Sequence, residues 1–357
     1  MKKEKVICIT DSFNSGGAQK QMVMLANGLL SKGYEVSTLQ YYDLNFFSNL
    51  LNRNIVVLKT IHKNKIIRVF NIIKILYEER PNIIITYLHG PNLYASLYKF
   101  FFPWRKVRLI TGERNFDING LSIRGLLYRI PHLIANKIVC NSNKQRELLL
   151  PYFGDKLVFI ANGTKSDKIF VKEYDDDTSS AKVNLILSGR LMEQKNPIGL
   201  FKAILEIKDK LDIIVHWYGE IYYNLPIYKK AMSFLNKNDL ENNIIFHKQN
   251  DDIYTEIKKY DGLILPSFYE GCPNAIIDGM FCGVPILASD VSDNSIYLDH
   301  QKELLFDPLN PIDIASKILF FSKLKIKEKK TLGILNRNKA ELFFDLDSMV
   351  DKYIEQI

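Results

Sequence analysis

The amino-acid sequence predicts an α/β protein with two doubly wound parallel sheets, one in each half of the chain. The chain has 357 residues, and a single hydrophobic core stops growing at roughly 250–300 residues, so two domains are expected. Short runs of apolar and β-branched residues alternate with helical patterns in both halves, and these runs are apolar on both faces. Such strands are typical of parallel sheets that helices cover on both sides.

The first domain is predicted to span residues 1–164. Its predicted strands are residues 6–10, 36–39, 55–59, 83–88, 108–111, 137–141 and 158–160. Between the first two strands, residues 19–32 carry apolar side chains at helical spacing, and Gly33 ends this helix.

A linker is predicted at residues 165–182, where apolar periodicity stops and the acidic run Asp175-Asp176-Asp177 occurs. The second domain, residues 183–335, has predicted strands at 185–187, 213–217, 244–246, 263–265, 286–288 and 304–306. Helices are expected at 197–210 and 251–260. Residues 326–357 form one long helical pattern with a kink expected near Gly333, and its end, from about 336 to 357, is predicted to pack back on the first domain.

The net charge of +8 is unevenly distributed. Residues 1–165 contain 24 Lys and Arg against 10 Asp and Glu, a net charge of +14, and the remainder contains 24 against 30, or −6. A basic half indicates an anionic partner, either nucleic acid or a membrane, or else a merely solvated basic face. Because no aromatic RNA-binding motif or recognition helix can be identified, we expect no nucleic-acid partner.

Several features favour a cytoplasmic location. The four cysteines lie far apart without a CxxC pair, which argues against a disulfide framework and a zinc site. The first apolar run ends at Asp11, too early for a signal peptide. The longest stretch without Asp, Glu, Lys or Arg, residues 81–98, contains polar residues, glycine and proline, so no transmembrane helix is expected.

Ligands of open α/β sheets bind beyond the carboxyl ends of the strands, so residues that directly follow a strand are the candidates. Gly16 and Gly17 follow the first strand and precede a helix. Paired glycines let backbone N–H groups approach an anion at the positive end of a helix. The alternative is an ordinary tight turn between a strand and a helix.

Arg190 and Lys195 flank a turn after a buried strand, and Pro197 suits the first turn of the next helix. Two cations beside a helix N-terminus suit a diphosphate, because guanidinium forks phosphate oxygens and ammonium adds a point charge. Either residue alone would be read as a solvated loop cation.

Two acids, eight residues apart, follow another strand. Pro273 suits the start of a helix that Gly283 ends, which places Glu270 in the preceding loop and Asp278 inside the helix. Carboxylates accept paired hydrogen bonds from vicinal diols such as those of ribose or a hexose. Either acid alone could instead serve the helix dipole.

His89 and Arg114 are further candidates, since each follows a predicted parallel strand. A lone histidine is commonly structural, but the position of His89 directly after a parallel strand favours a functional role. We therefore weigh the two roles about equally.

These motifs together resemble the retaining glycosyltransferases of family four, which have two facing Rossmann-like domains with a cleft between them, the GT-B type. The resemblance covers nearly the whole chain. The segment from Glu270 to Asp278 is similar to the family's Glu-x7-Glu motif, while Gly16-Gly17, Asn162-Gly163 and Gly189-Arg190 with Lys195 occur in the family's order.

The resemblance implies roles for individual residues. Arg190 and Lys195 would bind the donor diphosphate. Glu270 would contact the sugar hydroxyls and Asp278 the ribose, and His89 would lie near the transferred sugar. Two departures bear on these roles: Asp278 stands in place of the usual Glu, and Thr164-Lys165 follows Asn162-Gly163 where the family often has an aspartate.

The implied reaction moves a sugar from a nucleotide diphosphate donor, a UDP-sugar, to a hydroxyl of a glycan or lipid-linked glycan in cell-surface polysaccharide synthesis, with retained configuration. The sugar would be a hexose or an N-acetylhexosamine. The donor would bind the second domain and the acceptor the basic first domain. No cofactor is expected.

No metal is expected either. Asp345-Leu346-Asp347 matches a metal-binding Asp-x-Asp motif literally, but it lies in the terminal helical pattern, where positions two apart do not face each other. Two other functions share the fold: a nonhydrolysing nucleotide-sugar epimerase, which would turn over without an acceptor, and a noncatalytic partner of another glycosyltransferase, which would bind no nucleotide-sugar.

A membrane surface is the expected location of the acceptor. Residues 99–108 combine phenylalanines and Trp104 with lysines and arginines, which would suit the inner face of an anionic bilayer that carries a lipid-diphosphate acceptor. Arg114 could add a contact to the acceptor phosphate. The alternative is that the phenylalanines are buried against the sheet.

Overall fold

The computed structural model describes residues 3–114, 122–167, 169–174, 182–250 and 252–357. The chain divides into two compact units. Unit 1 consists of residues 1–164 and 344–357, and unit 2 of residues 165–343. Within the described residues, no helix combines the length and apolar character needed to cross a membrane.

The strands agree closely with those predicted. They are β1 (Lys5–Ile9), β2 (Glu35–Gln40), β3 (Val56–Lys59), β4 (Ile83–Tyr87), β5 (Arg108–Glu113), β6 (Lys137–Cys140), β7 (Leu157–Phe159), β8 (Val183–Ser188), β9 (Ile213–Tyr218), β10 (Ile244–His247), β11 (Gly262–Leu265), β12 (Ile286–Ser289) and β13 (Leu305–Phe306).

The helices lie between the strands and at the C-terminus. They are α1 (Gly17–Ser31), α2 (Lys65–Glu79), α3 (His89–Phe101), α4 (Ile123–Tyr128), α5 (Asn143–Phe153), α6 (Pro197–Ile207), α7 (Pro226–Lys237), α8 (Ile253–Ile257), α9 (Asn274–Phe281), α10 (Asn294–Tyr297), α11 (Pro311–Ser322), α12 (Ile326–Phe343) and α13 (Leu346–Ile354).

Both sheets are parallel and doubly wound. In unit 1 the strand order is β3-β2-β1-β4-β5-β6-β7, and in unit 2 it is β10-β9-β8-β11-β12-β13. Each order reverses direction once, beside the first strand of the unit. In unit 1 this switch point lies between β1 and β4, and in unit 2 between β8 and β11. Ligands of such sheets bind beside the switch point.

Helices cover both faces of the first sheet, which explains why its strands are apolar on both sides. Val6 and Cys8 of β1 pack into a core with side chains of α1 and α13. Ile7 and Ile9 alternate with them and pack into a second core with side chains of α2, α3 and α5. Successive strand residues point to opposite faces, so β1 serves both cores.

The core of unit 2 includes β8, β9, α6 and α11. The helix turns follow the predicted signals: α1 ends just before Gly33, whose φ is +95°, and α6 begins at Pro197. Of the predicted linker, Lys172 donates its backbone N–H to Cys282 and the Tyr174 hydroxyl donates to the Gly283 carbonyl, so this part of the segment packs on unit 2. The acidic run at 175–177 lies outside the described residues.

The C-terminal tail differs from the single kinked helix predicted. The helix α12 runs through Gly333 without a break and belongs to unit 2, whereas α13 packs on α1 of unit 1. A Cβ at Gly333 would lie 2.1 Å from the Gly283 carbonyl oxygen, so this glycine permits close backbone packing and not a kink. The break comes at Phe344 and Asp345, where the Asp345 side chain accepts a hydrogen bond from the Ser348 N–H and caps α13.

Candidate functional site

Apart from Arg114, which follows β5, the predicted site residues follow the strands that flank the two switch points. In unit 1, Gly16 and Gly17 follow β1, and His89 follows β4. In unit 2, the loop with Arg190 and Lys195 follows β8, and the loop with Glu270 follows β11. These are the positions where a doubly wound sheet binds ligands.

In unit 2 the structure brings Lys195 and Glu270 together. Their Nζ and Oε1 atoms are 2.5 Å apart, and the side chains are only 16% and 8% exposed. Two hydrogen bonds tie the loops that carry them, since Phe268 donates its N–H to the Gln194 carbonyl and the Gln194 side chain donates to the Tyr269 carbonyl. A partly buried cation and a buried carboxylate therefore lie side by side at the switch point.

The loop after β8 has a defined local shape. Asn196 adopts a left-handed conformation with φ of +50°, and its side chain accepts a hydrogen bond from the Gly199 N–H and donates one to the Pro308 carbonyl. A Cβ at Gly189 would lie 2.9 Å from Cε of Lys195. Glycine at 189 therefore leaves room for the lysine side chain to cross the turn.

Arg190 is exposed and contacts other groups than Lys195 does. Burial and a hydrogen bond with Glu220 raise the pKa of Tyr222, whereas the interaction with Arg190 lowers it. Arg190 therefore faces the Glu220 and Tyr222 side of the loop, while Lys195 faces Glu270.

Asp278 lies inside α9 and is buried, as is Glu270 in the loop before this helix. A residue that follows β12, the neighbouring strand of the sheet, holds the loop with Glu270 in place. The Ser292 hydroxyl donates to the Gly271 carbonyl of this loop at 2.9 Å. Ser292 is itself buried with a φ of +51°. Our sequence analysis missed Ser292, although the polar run after β12 was a signal of the same kind as the others.

Gly16 precedes the first turn of α1 in unit 1. A Cβ at this position would lie 1.9 Å from the Gln19 side-chain oxygen, and the Gln19 amide donates to Asp11 at the end of β1. A side chain at position 16 would therefore clash with Gln19, which accounts for the glycine independently of the predicted approach to an anion. Gly17, the first residue of α1, is exposed.

His89 is the first residue of α3 and is exposed. Its Nδ1 lies 2.9 Å from the Tyr128 carbonyl oxygen. Because a carbonyl only accepts, Nδ1 carries the proton in this contact, and Nε2 of the neutral ring is an acceptor. The preceding Leu88 has φ of +73° and ψ of +158°, a region that is nearly restricted to glycine and marks functional segments when other residues occupy it.

Arg114 is only 9% exposed. Its guanidinium lies 4.0 Å from the centre of the Tyr87 ring and donates to the Asn162 side chain. The neighbouring Gly163 exchanges two hydrogen bonds with the Gln21 side chain. Arg114 and Asn162 thus belong to a buried network within unit 1, and the Arg114 Nε has no hydrogen-bond partner among the described residues.

Glu113 forms a buried polar cluster that the sequence analysis did not single out. It accepts hydrogen bonds from Arg129 at 3.1 Å and from His132, whose Nε2 lies 2.8 Å away. Burial by itself would raise the pKa of Glu113, but His132 and Arg129 hold it below its ordinary value. No sequence signal links these residues, because their spacing matches no motif.

In the part of the chain that the structure describes, no three His, Cys, Asp or Glu residues are grouped closely enough to hold a metal ion. Asp345, predicted within a helix, is instead the residue that caps α13.

Two protein-family models match the chain. The model described as Glycosyltransferase Family 4 matches residues 15–168, and the model described as Glycosyl transferases group 1 matches residues 182–323. Each predicted site residue falls within one of these ranges.

The chain is similar to enzymes that transfer sugars. It is 24% identical over 340 residues to the Escherichia coli UDP-Gal:alpha-D-GlcNAc-diphosphoundecaprenol alpha-1,3-galactosyltransferase, covering 87% of this chain and 84% of that one. It is also 24% identical over 336 residues, 88% of each chain, to the Campylobacter jejuni GalNAc-alpha-(1->4)-GalNAc-alpha-(1->3)-diNAcBac-PP-undecaprenol alpha-1,4-N-acetyl-D-galactosaminyltransferase.

Solved structures share the fold. The Anabaena protein HepE in complex with UDP and glucose matches with a TM-score of 0.84 at 16% identity, covering 99% of this chain and 98% of that one. Sucrose-phosphate synthase from Thermosynechococcus elongatus matches with a TM-score of 0.82 at 14% identity and the same coverage.

Proposed function

Since the chain belongs to the family-four glycosyltransferases and has their GT-B fold, we propose that it transfers a sugar from a UDP-sugar to a lipid-linked glycan with retained anomeric configuration. The observation that carries the proposal is the contact between Lys195 and Glu270. A nucleotide diphosphate sugar presents phosphate oxygens next to sugar hydroxyls, and an adjacent cation and carboxylate complement both.

Lys195 and Arg190 would bind the donor diphosphate. One of the three ammonium donors of Lys195 is used by Glu270, which leaves two for phosphate oxygens. Glu270 in turn keeps an oxygen that can accept from a sugar hydroxyl, and Asp278 would accept from the ribose. The predicted diphosphate role of Gly16 and Gly17 stays a prediction, since the Gly16 N–H donates to the Asn14 carbonyl at 2.8 Å.

In the proposed step the bond between the sugar C1 and the phosphate oxygen breaks, and a bond between C1 and the acceptor oxygen forms. The acceptor proton passes to the leaving phosphate oxygen, so the protein need supply no base. Arg190 and Lys195 stabilise the negative charge that grows on the diphosphate, which a divalent ion does in other enzymes. We therefore propose that the reaction needs no metal.

His89 and Arg114 are the proposed acceptor-side residues. His89, whose Nδ1–H donates to the Tyr128 carbonyl, would present Nε2 to a hydroxyl near the transferred sugar. Arg114 would donate to an acceptor phosphate, a contact that requires its buried guanidinium to become accessible.

The acceptor and its location are proposed from the relatives and from charge. Two relatives are named for transfer to glycans on diphosphoundecaprenol or PP-undecaprenol, which supports a lipid-diphosphate acceptor. The basic first half supports peripheral binding at the inner face of an anionic membrane, in the synthesis of cell-surface polysaccharide.

The test is a panel of UDP-, GDP- and ADP-sugars with saccharides on polyprenyl diphosphate, with EDTA present, and mass spectrometry of the lipid product. We expect acceptor-dependent release of UDP and a product heavier by one hexose or N-acetylhexosamine. Conversion of the donor without an acceptor would indicate an epimerase, and absence of nucleotide-sugar binding would indicate a noncatalytic subunit. Loss of activity in EDTA, restored by manganese, would contradict metal independence.

A further inference from the structure

Unit 1 contains an apolar groove on the outer side of α3. The cavity has a volume of about 470 Å³, and α3 lines it with Leu93, Leu97 and Phe100. The opposite wall comes from α4 and the 3-10 turn at Ile130–Leu133, which contribute Leu127, Ile130 and Ile134. Cavities of about 300–1,000 Å³ are the size that binds small ligands, and the side chains named here are all hydrocarbon.

Polar contacts hold the two walls of the groove in place. The Ser96 hydroxyl of α3 donates to the Pro131 carbonyl at 2.9 Å. The buried carboxylate of Glu113, at the end of β5, binds Arg129 and His132 on either side of Ile130 and Pro131. The turn is therefore positioned by the sheet, and the groove does not depend on a ligand for its walls.

The apolar side chains at the groove remain open to solvent. Phe100 is 62% exposed, and Leu127 and Ile130 are also exposed. A cluster of exposed hydrophobic side chains on one surface indicates a binding site. Because these side chains surround a cavity, the expected occupant is a narrow apolar chain.

The two ends of the groove differ in chemistry. His89, the first residue of α3, lines one end and Phe100 the other. Eleven residues separate them, so the groove extends along about 16 Å of helix. Next to the Phe100 end, Lys156 donates to the Leu133 carbonyl, and burial and the charge of Lys156 lower the pKa of Lys99. Two neighbouring cations there favour an anionic lipid surface.

We propose that this groove binds the isoprenoid chain of a lipid-diphosphate-linked acceptor, with its saccharide at His89 and its tail leaving past Phe100 toward the membrane. The proposal rests on the proposed function, because it takes His89 as the acceptor end. The proposal explains why the apolar groove leads to His89, which follows the strained residue Leu88.

The direct test is calorimetric titration with farnesyl diphosphate, which needs no turnover. The test variant is Phe100→Gln with Leu127→Gln, and the control is Phe70→Gln, because Phe70 is an equally exposed phenylalanine on α2 that does not line the groove. We expect the double variant to weaken binding at least tenfold and the control to leave it unchanged. Equal affinity in the three proteins, or no binding by the wild type, would overturn the proposal.

A kinetic measurement separates the groove from the reaction itself. We expect the ratio of kcat/KM for an undecaprenyl acceptor to that for the same saccharide on a short alkyl diphosphate to fall at least tenfold in the double variant and to stay unchanged in Phe70→Gln. An unchanged ratio would contradict the proposal. If the wild type binds farnesyl diphosphate but transfers no sugar, the proposed function fails and the groove assignment stands.

Vesicles without acceptor distinguish the isoprenoid chain from ordinary acyl chains. We expect the double variant to lose much less binding to acceptor-free anionic vesicles than to farnesyl diphosphate, because Phe101 and Trp104 remain exposed. A loss as large as that for farnesyl diphosphate would mean that bilayer lipids fill the groove, and it would overturn the assignment.

Discussion

At the scale of single residues, Lys195 and Glu270 carry the account of the donor site. They are 75 residues apart in the chain, and their loops are hydrogen-bonded to each other beside the switch point of the second sheet. Each of the two charged groups loses most of its contact with water, so the pair is held by mutual attraction in a partly dry site.

We expect Lys195→Ala and Arg190→Ala to impair transfer to a similar extent but to affect folding differently. A charge-assisted hydrogen bond is worth roughly 1.5–3 kcal/mol, so either loss should lower kcat/KM about tenfold to a hundredfold. Lys195→Ala also leaves the buried Glu270 carboxylate without its cation and should cost about 1–3 kcal/mol of unfolding free energy. Arg190 is exposed, so its loss should leave stability nearly unchanged.

Kinetics and denaturant unfolding check this prediction, with Lys202→Ala as the control because Lys202 is an exposed lysine on α6 of the same unit. Wild-type kinetics in either folded variant would refute the proposed binding of the donor diphosphate by Arg190 and Lys195. Equal unfolding free energies for Lys195→Ala and Lys202→Ala would refute the stabilising pair.

The sequence predicted which loops lie together at the switch point but not which side chains meet. Residues after buried parallel strands must gather at one edge of a sheet, so the proximity of the loops with Arg190, Lys195 and Glu270 could be predicted from position alone. The pairing of Lys195 with Glu270 depends on loop contacts between distant segments. Likewise, the strained Leu88 before His89 leaves no trace in the sequence, because a glycine would be expected there.

At the scale of elements, the strands were predictable, whereas the division of the C-terminal helical pattern into α12 and α13 was not. Most strands are short apolar runs that are buried on both faces, so their pattern is local; the edge strand β3 is largely exposed. The tail keeps helical spacing across Phe344 and Asp345, but α12 packs in unit 2 and α13 in unit 1. The break therefore results from tertiary packing, which overrides a local pattern.

The packing of α13 on α1 leads to a prediction about Gly28, which lies inside α1. A Cβ at Gly28 would lie 2.3 Å from Cγ2 of Val350. Glycine within a helix normally costs about 0.5–1 kcal/mol relative to alanine, yet Gly28→Ala should destabilise the protein because overpacking costs about 1–3 kcal/mol. In a Val350→Ala background the same substitution should be neutral or stabilising.

Thermal unfolding of the two single variants and the double variant measures this coupling. We expect the effect of Gly28→Ala on Tm to change sign when Val350 is shortened. The same loss of Tm in both backgrounds would show that Gly28 is needed for another reason than the approach of α13.

At the scale of the whole molecule, the charge asymmetry coincides with exposed aromatic side chains. Phe100, Phe101 and Trp104 are exposed, whereas Phe102 packs against a core of unit 1. The alternative that the phenylalanines of this stretch are buried is therefore wrong for two of the three. Residues 1–165, which carry the net charge of +14, include this aromatic surface.

We expect the purified protein to cosediment with anionic liposomes at low salt, to be released at high salt and to bind neutral liposomes poorly. Each cation near an anionic surface contributes about 1 kcal/mol, and salt screens this attraction. Trp104→Gln should weaken binding, with Tyr223→Gln, an exposed aromatic residue of unit 2, as the control. Indifference to lipid charge, with full activity on a soluble oligosaccharide, would contradict membrane association.

The central claim is sugar transfer from a nucleotide donor with retention, and the most direct test is the anomeric configuration of the product. An α-linked UDP-sugar and a lipid-diphosphate saccharide would be incubated with the protein, and the new linkage read from its anomeric proton–proton and carbon–proton couplings by NMR. The account predicts an α-linked product that Lys195→Ala forms about tenfold to a hundredfold less efficiently. A β-linked product, or a donor altered at a carbon other than C1 with no new linkage, would contradict it.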